Sequence, residues 1–169
     1  MTIKVGDKIP YGVFSYVPYE SGEDLKACPF PQPYKIHDKL KNKRAVIFGI
    51  PAAFSPTCSE QHVPSFVENA DALKAKGIEE IICTAVNDGF ATNTFGKLIG
   101  AKDKIIMAGD GNGEFAKSIG MEQDMTALGM GVRSKRYAMV VDDLVVKYLG
   151  VEEGGEVTSS SAEAVLENL

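Results

Sequence analysis

The sequence predicts an α/β fold, a central mixed sheet flanked by helices, and three observations predict it. Short apolar runs of strand length alternate with stretches whose apolar residues recur at helical spacing. The order strand, helix, strand, helix, strand implies parallel crossover connections. Two later runs, Tyr137 to Val141 and Val145 to Leu149, meet around Asp142-Asp143 and read as an antiparallel hairpin. At 169 residues, against roughly 150 per domain, the chain reads as a single domain over 1–169.

Each element has its own signal. Residues 1–43 hold five of the eight prolines and read as a long ordered loop with a short strand around Val13 to Val17. Ala45 to Ile50 is a compact apolar run, a buried strand ended by Pro51. From Thr57 the period changes: Val63, Phe66, Val67, Ala70 and Leu73 mark one face of a helix that Gly77 closes. Glu80 to Val86 is a second buried strand. Asp88 caps a helix carrying Phe90, Phe95, Leu98 and Ile99, stopped by Gly100. Lys104 to Ala108 is a third strand, and Asn112 caps a short helix with Phe115, Ala116 and Ile119. Ser160 and Glu163 form a capping-box pattern ahead of Val165, Leu166 and Leu169, so the chain ends in an amphipathic helix.

Composition narrows the function classes. Apolar residues are 44% and charged residues 24%, as in ordinary soluble proteins. The net charge of −5 argues against a nucleic-acid partner, since non-specific binders are basic. The apolar runs fall far short of the roughly 20 residues that span a membrane, so no membrane partner is expected. Lys4, Asp7 and Lys8 interrupt the N-terminus, which does not read as a signal peptide. A cytoplasmic, reducing location is the expectation, and there a thiol stays available for chemistry. Three cysteines, Cys28, Cys58 and Cys83, cannot form a fully paired disulfide framework. With His37 and His62 they are scattered and hold no Cys-x-x-Cys pair, so neither a metal nor another cofactor is expected.

The chemistry concentrates in Pro51-Ala-Ala-Phe-Ser-Pro-Thr-Cys58, which joins the first buried strand to the first long helix. Cys58 thereby stands at or near a helix N-terminus, where unpaired N–H groups and the dipole favour an anion such as a thiolate. Pro51 and Pro56 remove backbone donors and stiffen the loop. Ser55 can offer its hydroxyl to the thiolate or to a bound oxygen. It also stands where a thioredoxin-type Cys-x-x-Cys would carry its first cysteine, so the loop cannot close its own disulfide. Taken blind, a cysteine in an α/β protein is more often a small core hydrophobe. The strand-to-helix position and polar neighbours of Cys58 favour reactivity instead.

The run Phe48-Gly-Ile-Pro-Ala-Ala-Phe-Ser-Pro-Thr-Cys-Ser59, followed by His62-Val-Pro64, resembles the peroxidatic motif of the peroxiredoxins, most closely the type II group or peroxiredoxin five subfamily. Ala85-Val-Asn-Asp88, Ala108-Gly-Asp-Gly-Asn-Gly113, Gly131-Val-Arg-Ser-Lys-Arg-Tyr-Ala138 and the tail Gly154-Gly-Glu-Val-Thr-Ser-Ser-Ser-Ala162 agree with it in order. The resemblance implies a thioredoxin-like fold and thiol-dependent reduction of hydrogen peroxide and alkyl hydroperoxides. It implies that Cys58 is the peroxidatic cysteine, that Pro51 shields the site, and that Ser55 replaces the usual Thr. It assigns the catalytic arginine to Arg136 before Tyr137, with Arg133 as second choice. Ala52 stands where the family usually has Gly, and it would cost stability if that position needs a positive φ.

A thiolate attacking one peroxide oxygen builds charge on the other, and Arg136 with its fixed fork of donors suits both anions. The sulfenic acid that results must meet a second thiol before it overoxidises. Ser159 occupies the tail position where some type II members resemble one another in carrying a resolving cysteine. Cys83 compares with the second cysteine of plant-like members, but it lies mid-strand in an apolar run. Cys28, in the Ala-Cys-Pro-Phe-Pro loop, compares with fungal-like members that join it across subunits, and it ranks slightly above Cys83. The third possibility is direct resolution by glutathione, glutaredoxin or thioredoxin. The family also implies a homodimer. His62 lies one helical turn after Cys58 and reads as structural rather than catalytic, His37 has no motif around it, and Glu60 complements the helix dipole. Two other functions use the same scaffold: a peroxide sensor or relay passing oxidation from Cys58 to a partner protein, and a binding protein with an inert thiol.

Overall fold

A computed structural model describes residues 2–169. Its main sheet has seven strands: β1 (Val13–Tyr16), β2 (Gln32–Lys35), β3 (Arg44–Gly49), β4 (Glu80–Ala85), β5 (Ile106–Gly109), β8 (Tyr137–Asp142) and β9 (Val145–Val151), in the order β2-β1-β5-β4-β3-β8-β9. β3, β4 and β5 are mutually parallel, while β8 pairs antiparallel with β3 and β9 with β8 on one side, and β1 pairs antiparallel with β5 and β2 with β1 on the other. The helices are α1 (Ile36–Leu40), α2 (Val63–Ala75), α3 (Gly89–Leu98), α4 (Glu114–Ser118) and α5 (Ala162–Glu167). Among the described residues, no helix is long and apolar enough to cross a membrane.

Period-two alternation divides the core between the two faces of the sheet. In β3, Val46 and Phe48 face one side with Phe66, Cys83, Phe95 and Val165. Ala45 and Ile47 face the other side with Phe14, Ile36, Phe115 and Tyr137. α2, α3 and α5 thus cover the first face, and α1 and α4 the second. Phe48 stacks on Phe66 with ring centroids 4.0 Å apart. Gly49 is required because a Cβ there would run into the ring of its strand partner Tyr137.

The structure corrects several boundaries. β2 and α1 lie inside the 1–43 segment predicted to be mostly loop, and a small sheet of β6 (Glu122–Asp124) and β7 (Val132–Ser134) was not predicted. The hairpin turn is Asp143-Leu144, not Asp142-Asp143; Asp142 pairs with Val145, and both turn residues have positive φ, 45° and 71°. That is the conformation a two-residue hairpin loop needs to match strand twist. Helix α4 is capped from Asp110, whose carboxylate accepts from Phe115 N–H (3.2 Å) and Ala116 N–H (2.9 Å), rather than by Asn112. Helix α5 is capped by Ser161, whose hydroxyl accepts from Ala164 N–H at 3.1 Å; Ser160 is fully buried and turned elsewhere. Asp88 caps α3 as expected, accepting from Ala91 N–H at 2.9 Å.

Candidate active site

Strand β3 delivers the chain to its carboxyl end, and the next residues are tied down one by one. Ile50 N–H donates to the Thr84 carbonyl at 3.0 Å, and Ala53 N–H donates to Asn87 Oδ1 at 3.1 Å. Phe54 turns the loop with φ at 68°, its half-exposed ring set edge-on against Phe95 at 5.0 Å. Phe54, and not Ala52, is the left-handed residue of this loop, so the expected cost of Ala52 does not arise.

The helix opens at Pro56 and Thr57 and widens at once into a π-helical turn, Cys58–His62, where an ordinary α-helix is predicted from Thr57 onward. Val63 N–H donates to the Cys58 carbonyl five residues back. Pro64 gives the physical reason. It has no N–H for the Glu60 carbonyl and its ring crowds that carbonyl in a regular α-turn, which a wider turn relieves. Cys58 is fully buried.

Arg136 reaches Cys58 because Tyr137 pairs with Gly49 at the end of β3, leaving Arg136 just beyond the strand ends. Its Nη2 donates to Cys58 Sγ at 3.3 Å, and its Nη1 donates to His62 Nδ1 at 3.0 Å. Only 5% of Arg136 is exposed, so this charge acts at short range with little water around it. His62 Nε2–H donates to the Ser160 carbonyl at 2.8 Å. A carbonyl can only accept and a guanidinium can only donate, so both neighbours demand the neutral ring protonated at Nε2. Burial first, and the Arg136 charge second, push the His62 pKa down to about 3. The ring therefore stays neutral at any physiological pH.

The remaining candidates separate clearly. Pro51 closes β3 at the mouth of the loop, partly exposed. The Ser55 hydroxyl makes no hydrogen bond to Cys58; the residue contributes its backbone instead, its carbonyl accepting from Ser59 N–H at 2.9 Å. Arg133 is occupied with the Met130 carbonyl (2.7 Å) and the Val86 carbonyl (2.9 Å), which removes the second-choice arginine. Cys83 pairs with Phe48 in the sheet and shares the apolar cluster of Cys58. Burial pushes its thiol well up, and nearby Cys58 adds to that. Cys28 is exposed, on a loop that Lys97 holds against α3 through the Asp24 and Ala27 carbonyls at 3.0 and 2.9 Å. His37 bonds the Ile9 carbonyl at 2.8 Å and stacks on Tyr11, and Glu60 is solvent-exposed. Sequence reasoning missed Glu152, a buried carboxylate behind His62. Its only sequence signal is an acidic residue shortly before the Thr-Ser-Ser-Ser run.

A buried thiol, a buried guanidinium and a neutral imidazole can stabilise a thiolate and the anion it displaces from a polarisable substrate. Comparison with known proteins bears on which substrate. The Redoxin family profile matches residues 4–166. The chain is 43% identical over 170 residues to Peroxiredoxin-2E, chloroplastic, of Arabidopsis thaliana, covering 99% of this chain and 70% of that one. It is 41% identical over 167 residues to Peroxiredoxin-2B of the same plant, covering 99% and 98%. Among solved structures, reduced Prx3 in complex with H2O2 from Vibrio vulnificus matches with a TM-score of 0.87 at 35% identity, covering 98% of this chain and 95% of that one.

Proposed function

The chain belongs to the redoxin family as a type II peroxiredoxin, a thiol-dependent peroxidase with a thioredoxin-like fold, and we propose that Cys58 carries its reaction with Arg136 as the electrostatic catalyst. The observation that supports these roles most strongly is the 3.3 Å contact from Arg136 Nη2 to Cys58 Sγ, with both groups buried.

The Cys58 thiolate attacks the peroxide oxygen that bears the hydrogen. The S–O bond forms as the O–O bond breaks, leaving Cys58 as sulfenic acid and the far oxygen as an alkoxide or hydroxide that takes up a proton. Arg136 faces the sulfur in the ground state and the departing oxygen as its charge grows. In this proposal Pro51 keeps water from the thiolate side, and the Ser55 hydroxyl, which bonds to no other described residue, turns to the bound peroxide. Cys58→Ser abolishes peroxide consumption if Cys58 is the nucleophile; retained consumption contradicts the assignment.

A second thiol then condenses with the sulfenic acid and releases water, and a thiol reductant of the thioredoxin, glutaredoxin or glutathione kind restores the enzyme. Since Cys58 is fully buried, its first helical turn has to open before a large thiol partner meets it. We propose Cys28 as the resolving cysteine across a homodimer, ahead of Cys83. Exposure of Cys28 and burial of Cys83 support that order. Phe30, Phe54, Phe90 and Leu98 are 85%, 51%, 42% and 61% exposed on and beside α3, which supports a second copy packing there. We also propose a cytoplasmic location, in keeping with three free cysteines.

A further inference from the structure

Behind the Arg136–His62 pair stands a second layer that the reaction itself does not use. Glu152 is 6% exposed, and its carboxylate is the meeting point of the residues six to eight positions further on. Oε1 accepts from Thr158 Oγ1 (2.7 Å), Ser159 N (3.0 Å) and Ser159 Oγ (3.0 Å). Oε2 accepts from Thr158 N (2.9 Å) and Ser160 Oγ (3.3 Å). Tyr148 adds a hydroxyl bond to the Ser159 carbonyl at 2.7 Å. The carboxylate thus gathers a turn with no regular structure of its own, and that turn presents the Ser160 carbonyl to His62 Nε2. Glu152 also holds Arg136 from the other end, its N–H donating to the Arg136 carbonyl at 2.9 Å.

We propose that Glu152 is a positioning residue for the catalytic arginine, acting through the Ser160 carbonyl and the tautomer of His62. The logic is one of donors and acceptors. The neutral imidazole has one N–H and one lone pair, and which nitrogen holds the proton depends on its partners. While the Ser160 carbonyl takes Nε2–H, Nδ1 keeps its lone pair for Arg136 Nη1, and Nη2 is left facing Cys58 Sγ. Were the turn released, the ring could rotate or take the Nδ1–H tautomer, and Nδ1 would meet Arg136 donor to donor. The guanidinium would then leave its bidentate seat between His62 and Cys58. A displacement of about 1 Å at a catalytic group is enough to cost on the order of 10²-fold.

The inference rests on the peroxidase reading of Cys58 and Arg136, and its test has a readout separate from activity. Nitrogen-15 NMR of the histidine side chains, at neutral pH in the reduced protein, should show His62 as the Nε2–H tautomer in the wild type. In Glu152→Ala that signature should be lost or averaged, and the second-order rate constant for oxidation of Cys58 by hydrogen peroxide should fall at least tenfold. Glu152→Gln keeps one acceptor oxygen and should fall between the two on both measures, which covers the case in which the alanine variant does not fold. An unchanged His62 tautomer together with a wild-type rate constant in a folded Glu152 variant overturns the proposal. So does a slowed variant whose His62 signature is that of the wild type, since Glu152 would then act by another route. A wild-type protein that consumes no peroxide but shows the tautomer shift in the variants would instead overturn the peroxidase reading and leave the linkage standing.

Discussion

Arg136→Met removes the cation in contact with Cys58 while keeping a side chain of similar length. The wild-type guanidinium stands 3.3 Å from the sulfur and is 5% exposed. At an effective dielectric of about 20, a full pair of charges at that distance is worth about 5 kcal/mol. Any part of this already present before the O–O bond begins to break accelerates nothing; only the share that grows as charge moves to the departing oxygen lowers the barrier. Loss of one preorganised donor to a developing anion costs about 10²–10³ in rate, or about 2.7–4 kcal/mol. The Met variant should therefore lose about 10²–10³ in the second-order rate constant for hydrogen peroxide, measured by rapid mixing against a competing peroxidase. Arg136→Lys should recover little, because one ammonium cannot donate in parallel to His62 Nδ1 and Cys58 Sγ as the fork does. A Met variant within threefold of the wild type would refute the electrostatic role given to this residue.

Two further outcomes test neighbouring parts of the site. His62 sits near 6.5 when unfolded and is held down to about 3 in the fold, so the unfolded chain binds the extra proton first as pH falls. Its contribution to stability is complete above about pH 6.5 and should fall by about 1.4 kcal/mol per unit on acidification towards pH 3. Urea unfolding at a series of pH values should show this slope and its flattening in His62→Gln; equal slopes in the two proteins would contradict it. For resolution, peroxide-treated protein on a non-reducing gel should show a covalent dimer that disappears in Cys28→Ser and survives in Cys83→Ser. A persistent monomer band would instead point to Cys83 or an external thiol.

The fold was legible where one local signal decided the structure. β3 and β4 each hold a compact run of mostly apolar residues, and the helix from Val63 to Ala75 repeats its apolar residues at helical spacing, so each could be placed from its own residues. β2 was hidden by Pro33 and by the exposed Gln32 and Lys35, and it exists only because β1 offers it a partner edge. β6 and β7 are polar three-residue strands held by each other, which no periodicity announces. The caps of α4 and α5 were misplaced by one or two residues because Asp110 and Ser161 compete with nearby residues of the same chemistry.

At the site, the motif names Cys58 and Arg136, which the structure brings into contact, and His62, read as structural, bonds to both Arg136 and Ser160. The resemblance could not foresee that the Ser55 carbonyl also ties the start of the helix, accepting from Ser59 N–H, while its hydroxyl is left without a bond to Cys58. The π-turn was equally out of reach, because it follows from how Pro64 is accommodated three-dimensionally. Glu152 was invisible because nothing local marks a glutamate as buried; its burial is set by a turn that folds back upon it.

Trapping the oxidised sulfur tests the assignment of the nucleophile most directly. Reduced protein treated with one equivalent of hydrogen peroxide in the presence of dimedone, then digested and read by peptide mass spectrometry, should carry the sulfenic-acid adduct on Cys58. An adduct on Cys28 or Cys83, with Cys58 unmodified while peroxide is consumed, would contradict it.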